Sequence, residues 1–184
     1  MPFGSLNSPQ QALDNASDVL KATQAQVVKL EGDITQIKTV EMLCSYGIAS
    51  CAHLGLQPQQ VHKMGGYRVQ GKTKNSADQM LATACDLEQA GADLLLLECV
   101  PATLATLITK TLEIPVIGIG AGTDVDGQIL VLHDILNVTS GKKPKFSKNF
   151  MQGQPSIQAA ISRYVHEVKR GQFPVKVCMY QDDK

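Results

Sequence analysis

Leu94-Leu95-Leu96-Leu97-Glu98-Cys99-Val100-Pro101 is the stretch that decides the fold of this chain. Four leucines with no polar alternation suit a strand covered on both faces, the habit of a parallel sheet wrapped by helices. The run ends in a carboxylate, Glu98, and then in Pro101, a residue well placed to open a helix. At the C-terminal ends of parallel strands the βα loops open, so reacting groups collect there while the opposite end serves stability. A lone glutamate at a strand end is ordinarily a capping or surface group. Recurrence of the same form elsewhere in the chain is what gives Glu98 weight.

The form recurs in Gln26-Val27-Val28-Lys29-Leu30-Glu31-Gly32, where Lys29 and Glu31 lie two residues apart. A strand's period of two sends both side chains to one side, so a cation and an anion share one mouth. Alone, such a pair is a solvated ion pair of small energy. Three further apolar runs follow the pattern: Ile48 to His53, with His53 at the end; Pro115 to Ile119, leading into Gly120-Ala121-Gly122; and residues 128–133, ending near His133 and Asp134. Between them lie segments with helical spacing. These are Ser8 to Gln24, Ile34 to Tyr46 stopped by Gly47, Ser76 to Ala90 stopped by Gly91, Ala102 to Leu112, and Ile157 to Lys169 stopped by Gly171. Strand and helix alternating at short spacing predict an α/β fold with parallel strands. Five strands are too few to close an eight-stranded barrel.

Leu56 to Asn75, with Pro58, Gly65, Gly66 and Gly71, is the longest irregular stretch and reads as a lid, a binding loop or a connector. The Gly118 to Gly122 string lacks the spacing of a dinucleotide fingerprint. Lys142 to Asn149 reads as a basic loop, and the polar tail is expected to fray.

The chain has 184 residues, 43% of them hydrophobic, with 17 basic and 17 acidic side chains and a formal net charge of zero. One domain with one core is expected, and the balance of charge argues against nucleic acid as a partner. No apolar run reaches membrane-spanning length, and the first residues do not form a secretory signal. A cytoplasmic protein is expected. Its five cysteines are odd in number and lack Cys-x-x-Cys spacing, which disfavours a disulfide framework or structural zinc. Cys99, next to Glu98, reads first as a small buried hydrophobe and only second as a nucleophile.

Seven ordered strings resemble the ketopantoate hydroxymethyltransferase family: VKLEG (28–32), CAHLGL (51–56), GGYRVQGK (65–72), LLLLECVP (94–101), IPVIGIGAG (114–122), DGQILVLHD (126–134) and PKFSKNF (144–150). The likeness runs from Met1 to about Pro174. It implies a (β/α)8 TIM-barrel type fold, here incomplete, with about five of eight βα units corresponding to strands 4 to 8. It also implies a homo-oligomer and Mg2+ as cofactor. The implied reaction moves a hydroxymethyl group from 5,10-methylenetetrahydrofolate to 3-methyl-2-oxobutanoate in pantothenate biosynthesis. By position, Glu98 matches the catalytic proton acceptor, Lys29 and His53 the substrate-binding residues, and Glu31 a magnesium-associated carboxylate. The family's Gly-Asp-Ser segment and a further strand-end aspartate, both magnesium-associated, have no counterpart here. Met1-Pro2-Phe3 matches the residues just after that aspartate.

Glu31 alone is a poor magnesium site, since the ion prefers octahedral oxygen coordination. Weak metal binding and little activity of the isolated chain are therefore expected. Three readings stay open: the hydroxymethyltransferase itself, another metal-dependent carbon–carbon lyase or mutase on the same scaffold, and a non-catalytic partial barrel that must associate with the missing half.

Overall fold

The computed structural model describes residues 1–141 and 143–180. The chain opens with α1 (Pro9–Ala22), capped by the Ser8 side chain, which accepts from the Gln11 amide. It continues through β1 (Val27–Glu31), a 3-10 turn at Ile34–Gln36, α2 (Ile37–Ser45) and β2 (Ala49–Gly55). Next come α3 (Lys74–Gln89), β3 (Leu94–Glu98), α4 (Ala102–Thr111) and β4 (Val116–Ile119). It ends with β5 (Gly127–Gln128), α5 (Leu132–Ile135), α6 (Ile157–Lys169) and a 3-10 turn at Lys176–Cys178. The five strands form one sheet in sequential order, and every pairing is parallel.

Strand parity divides the core in two. Val28, Leu30, Ala52, Leu54, Leu95, Leu97 and Val116 point to the helical side, where they pack with residues such as Leu13, Val40, Leu87 and Ile108. Leu95 and Leu97 are wholly buried there, so truncating either to alanine costs about 2–5 kcal/mol. The other face carries Cys51, Leu96 and Ile119 against Phe146, Phe150 and Phe173 of the C-terminal segment. Phe150 anchors that second cluster through edge-on contacts with Tyr164 and Phe173, at ring-centroid distances of 5.2 and 5.3 Å.

Several expectations need correction. The run over 128–133 is not a six-residue strand: β5 ends at Gln128, and His133 and Asp134 lie in α5. After Ile129 donates to the Gly118 carbonyl the chain turns, with the amides of Asp134 and Ile135 both donating to the Val131 carbonyl. His53 is not the last residue of β2, which continues to Gly55. Helix α3 starts earlier than Ser76. Thr73 is its N-cap, and Ser76 completes a capping box from the N3 position. The tail through Tyr180 is anchored, because Phe173 and Cys178 are buried and the Ala102 amide donates to the Tyr180 carbonyl. Lys142 of the basic loop and residues 181–184 of the tail lie outside the described residues.

Candidate active site

The register sets Glu31 of β1 beside His53 of β2, and Gly55 of β2 beside Glu98 of β3. His53 is two residues from Gly55, so it shares a face with Glu98, while Lys29 shares one with Glu31. The structure brings all four sequence-predicted side chains together at the C-terminal end of three adjacent strands. Lys29 Nζ lies 3.5 Å from Glu31 Oε1, His53 Nδ1 lies 4.0 Å from the same oxygen, and His53 Nε2 lies 3.3 Å from Glu98 Oε2. The His53 ring is completely buried, Glu31 and Glu98 nearly so, and Lys29 is 43% exposed. Although Nε2 is close to Glu98, its N–H does not aim at the carboxylate. Neither imidazole nitrogen has a hydrogen-bond partner among the described residues.

Carboxylates at the opposite end of the sheet behave differently. Asp93 accepts from the Ser50 amide at 2.8 Å, Asp126 from the Val116 amide at 2.8 Å, and Glu88 from the Glu113 and Ile114 amides at 2.7 and 2.9 Å. Those groups brace loops against strand starts. The Glu98 carboxylate, with the His53 imidazole beside it and Cys99 and Tyr180 nearby, accepts no hydrogen bond among the described residues, which leaves it available for a reacting molecule.

Glu31 is more committed, since its Oε2 accepts from the Gln59 amide at 3.1 Å. Gln59 escaped the sequence reading because it acts through its backbone, which no side-chain pattern reports. The Met1 amino group, which donates to the Lys29 carbonyl at 2.8 Å, escaped for the same reason. A cavity of about 440 Å³ opens beside Glu31, walled by Phe3, Gln59, His62 and Lys63. A second, of about 540 Å³, lies between Gly55, Gln57, Gln70 and the α3 residues Ser76 and Thr83. The irregular stretch after Leu56 thus lines both openings, as a binding loop would.

Cys99 follows Glu98 in a left-handed conformation, φ 50°. Burial pushes its thiol up to about 12, and the neighbouring Glu98 adds to the effect. A thiol so held is protonated at neutral pH and is no nucleophile. Tyr180 hydrogen-bonds to it, and burial raises the Tyr180 hydroxyl as well.

The residues present do not by themselves fit a magnesium ion. Glu31 contributes one carboxylate, its Oε1 is faced by an ammonium and its Oε2 by an amide. Among the described residues no group of three or more His, Cys, Asp or Glu side chains is placed to hold a metal. A hard octahedral cation needs several oxygen ligands. Among the described residues, no helix is long and apolar enough to cross a membrane.

Residues 1–176 match the family described as Ketopantoate hydroxymethyltransferase. The chain is 59% identical over 174 residues to the 3-methyl-2-oxobutanoate hydroxymethyltransferase of Alkalilimnicola ehrlichii, covering 95% of this chain and 63% of that protein. It is 53% identical over 176 residues to the protein of the same name from Marinobacter nauticus, covering 96% and 66%. With the one from Nitrosococcus oceani it shares 51% identity over 180 residues, covering 98% and 68%. The chain therefore spans about two thirds of the length of the curated relatives it matches.

Proposed function

The chain belongs to the ketopantoate hydroxymethyltransferase family, and from that premise we propose that its strand ends form the hydroxymethyl-transfer site of a cytoplasmic, oligomeric enzyme. In this reading the five βα units are strands 4 to 8 of a (β/α)8 barrel. The reaction carries a one-carbon unit from 5,10-methylenetetrahydrofolate to 3-methyl-2-oxobutanoate, giving 2-dehydropantoate for pantothenate synthesis. The observation that supports it above all is the continuous row Lys29, Glu31, His53 and Glu98 across three adjacent strand ends.

The chemistry begins with loss of a proton from the carbon beside the ketone. Glu98, nearly buried and with no backbone donor on its carboxylate among the described residues, is the group that accepts this proton. Lys29, the exposed end of the row, sets positive charge toward the substrate carboxylate or the developing enolate oxygen. His53 lies between the two carboxylates and offers its unpartnered nitrogens to the keto acid. The enolate carbon then bonds to the one-carbon unit of the folate, whose two C–N bonds break with the nitrogens taking protons as tetrahydrofolate leaves, and water supplies the hydroxyl of the product. When bound, magnesium would polarise the keto acid and favour the enolate. The described residues of this chain do not hold that ion by themselves.

The test is deuterium exchange at C3 of 3-methyl-2-oxobutanoate in D2O, followed by proton NMR with magnesium present. Exchange is expected to fall about 10²- to 10⁴-fold in Glu98→Gln, the range for loss of a positioned base. Equal exchange by the unaltered protein and the variant would remove Glu98 from the reaction. A second reading, a non-catalytic partial barrel that works only together with the part of the relatives it does not match, is favoured by the lack of a three-ligand metal group among the described residues. Exchange that appears only once that part is supplied would select it.

A further inference from the structure

We propose that Tyr180 is a positioning residue for Glu98: it clamps Cys99, the strained residue that follows the carboxylate, and so fixes the end of β3 from which Glu98 projects. This role rests on the reading of Glu98 as the base and deepens it by naming what holds that base. Tyr180 lies past residue 176, where the match to the family ends.

Among the described residues Cys99, at φ 50°, is one of two non-glycine residues with positive φ. A side chain resists that conformation, and it persists where the surroundings over-determine it. Its effect is to redirect the Cys99 side chain. By a strand's period of two Cys99 would join Leu95 and Leu97 on the helical face. Instead it packs with Leu96 and Ile119, on the face that carries Glu98 and His53.

Three segments meet at this residue. Its amide donates to the Ile119 carbonyl at 3.0 Å, and its carbonyl accepts from the Gln70 amide at 2.9 Å. Its thiol shares a hydrogen bond with the Tyr180 hydroxyl. The first two bonds are made by backbone and would survive a change of side chain at 99. The third ties the turned side chain itself.

Tyr180 is held in turn. Its carbonyl accepts from the Ala102 amide at 3.1 Å. Ala102 opens α4, whose N-cap, Pro101, makes no side-chain capping bond, so the tail supplies a partner to an amide that a helix start leaves free. Lys145 Nζ donates to the Met179 carbonyl at 2.9 Å and lies 5.3 Å from the centroid of the Tyr180 ring. The tail therefore crosses the β3–α4 turn as a strap, bonded to Cys99 through a hydroxyl and to Ala102 through a carbonyl. Because the Glu98 carboxylate accepts no hydrogen bond among the described residues, its aim is set by the backbone that this strap holds. Small displacements of a reacting group are enough to cost a large part of the rate.

The test compares Tyr180→Phe, which removes the hydroxyl and keeps ring and carbonyl, in the unaltered sequence and in a Cys99→Gly background. Glycine takes the left-handed conformation unaided, so there the clamp has nothing to hold. In the full chain with magnesium, Tyr180→Phe should lower the maximal rate of deuterium exchange into 3-methyl-2-oxobutanoate about ten- to a hundredfold, with the half-saturating concentration changed less than about twofold. In the Cys99→Gly background the same substitution should leave the rate unchanged. Cys99→Ala removes the hydrogen bond from its other end, so it should match Tyr180→Phe and add nothing to it. That pair keeps the comparison decisive even where Cys99→Gly folds poorly.

A readout that needs no turnover is the Glu98 side-chain carboxyl resonance, in protein made with glutamate carrying carbon-13 at that carboxyl and assigned by its loss in Glu98→Gln. Tyr180→Phe should displace it by more than its linewidth, and should not do so in either Cys99 background. The Ala102 amide of the unaltered protein should be protected from hydrogen exchange. An unmoved resonance, an equal displacement in all backgrounds, or an unprotected Ala102 amide would overturn the clamp. Equal keto-acid exchange by Tyr180→Phe and the unaltered protein would overturn it too, and would leave Glu98 as the base. A displaced resonance in a protein that exchanges no keto-acid proton would sink the functional reading and leave the clamp standing.

Discussion

His53 Nε2 lies 3.3 Å from Oε2 of Glu98, yet the imidazole is wholly buried and neither of its nitrogens is hydrogen-bonded among the described residues. A buried polar group left unpartnered costs about 1–3 kcal/mol, a cost that persists where the group is reserved for a ligand. Replacing the ring with an apolar side chain of similar volume removes the cost. His53→Leu is therefore expected to leave stability unchanged or raise it by about 1 kcal/mol, read as the midpoint of urea unfolding. A loss of more than about 2 kcal/mol would show that the imidazole braces the two carboxylates rather than waiting for substrate.

Gly55 holds Glu98 in place from the neighbouring strand. It sits at φ 94°, and a Cβ there would stand 2.1 Å from the Glu98 carbonyl oxygen and 2.9 Å from a Val100 methyl. The adjacent Leu56 amide donates to that same carbonyl at 2.8 Å. Backbone cannot yield as a flexible side chain does, so Gly55→Ala combines a steric clash with a left-handed conformation that alanine resists. The expected loss is about 3 kcal/mol or more, seen as a lowered thermal midpoint or insoluble expression. By contrast, Gly153→Ala, with open space around its Cβ position at φ 74°, carries the conformational cost alone. Equal effects at the two positions would refute the close-approach argument.

Where the sequence was legible, the physics was local and periodic. The leucine run of β3 and the two-residue spacing of Lys29 and Glu31 each specify a strand and a facing, and the register then aligns Glu31 with His53. The segment after Gln128 was not legible, because a short apolar run is compatible with either a strand or a helical turn. What decides it is Val131, whose carbonyl takes two amides from α5. Thr73 lost out to Ser76 as the expected cap because both are cap-forming residues three positions apart, and the structure uses both. The backbone amide of Gln59 on Glu31 has no side-chain signature at all.

Glu167 ties α6 to the basic loop. Burial alone would raise its carboxyl, but hydrogen bonds from Lys148 and Arg163 outweigh burial and hold it below the usual carboxylate range. The Arg163 contact is 2.9 Å. A carboxylate depressed in the folded state adds stability above its unfolded value, near 4.3, and loses it as pH falls through the folded value. Stability should thus decline below about pH 4.3, and Glu167→Gln should flatten that decline while costing about 1 kcal/mol at pH 7, since both cations are partly exposed and screened. Urea titrations at pH 7, 5 and 3 supply the comparison. An acid limb of the same slope in the variant would assign the pH dependence to other carboxylates.

The five cysteines divide by burial, and their reactivity should divide the same way. Cys44 is exposed and Cys85 partly so, while Cys51, Cys99 and Cys178 are buried. Burial raises the thiols of all three buried residues, that of Cys99 to about 12. The thiolate is the reactive form, so iodoacetamide at pH 8 should modify Cys44 and Cys85 in the native protein and all five after urea, counted by intact mass. A thiol raised in the folded state stabilises below its unfolded value, near 8.5, and that contribution fades as pH climbs toward the folded value. Unfolding should accordingly become easier as pH rises from about 8.5 toward about 12, and less so in Cys99→Ala, which no longer carries the ionisable group. Rapid native alkylation of Cys99 would mean that the β3 mouth opens far enough to expose it, and would make its thiol, after all, a candidate for chemistry beside Glu98.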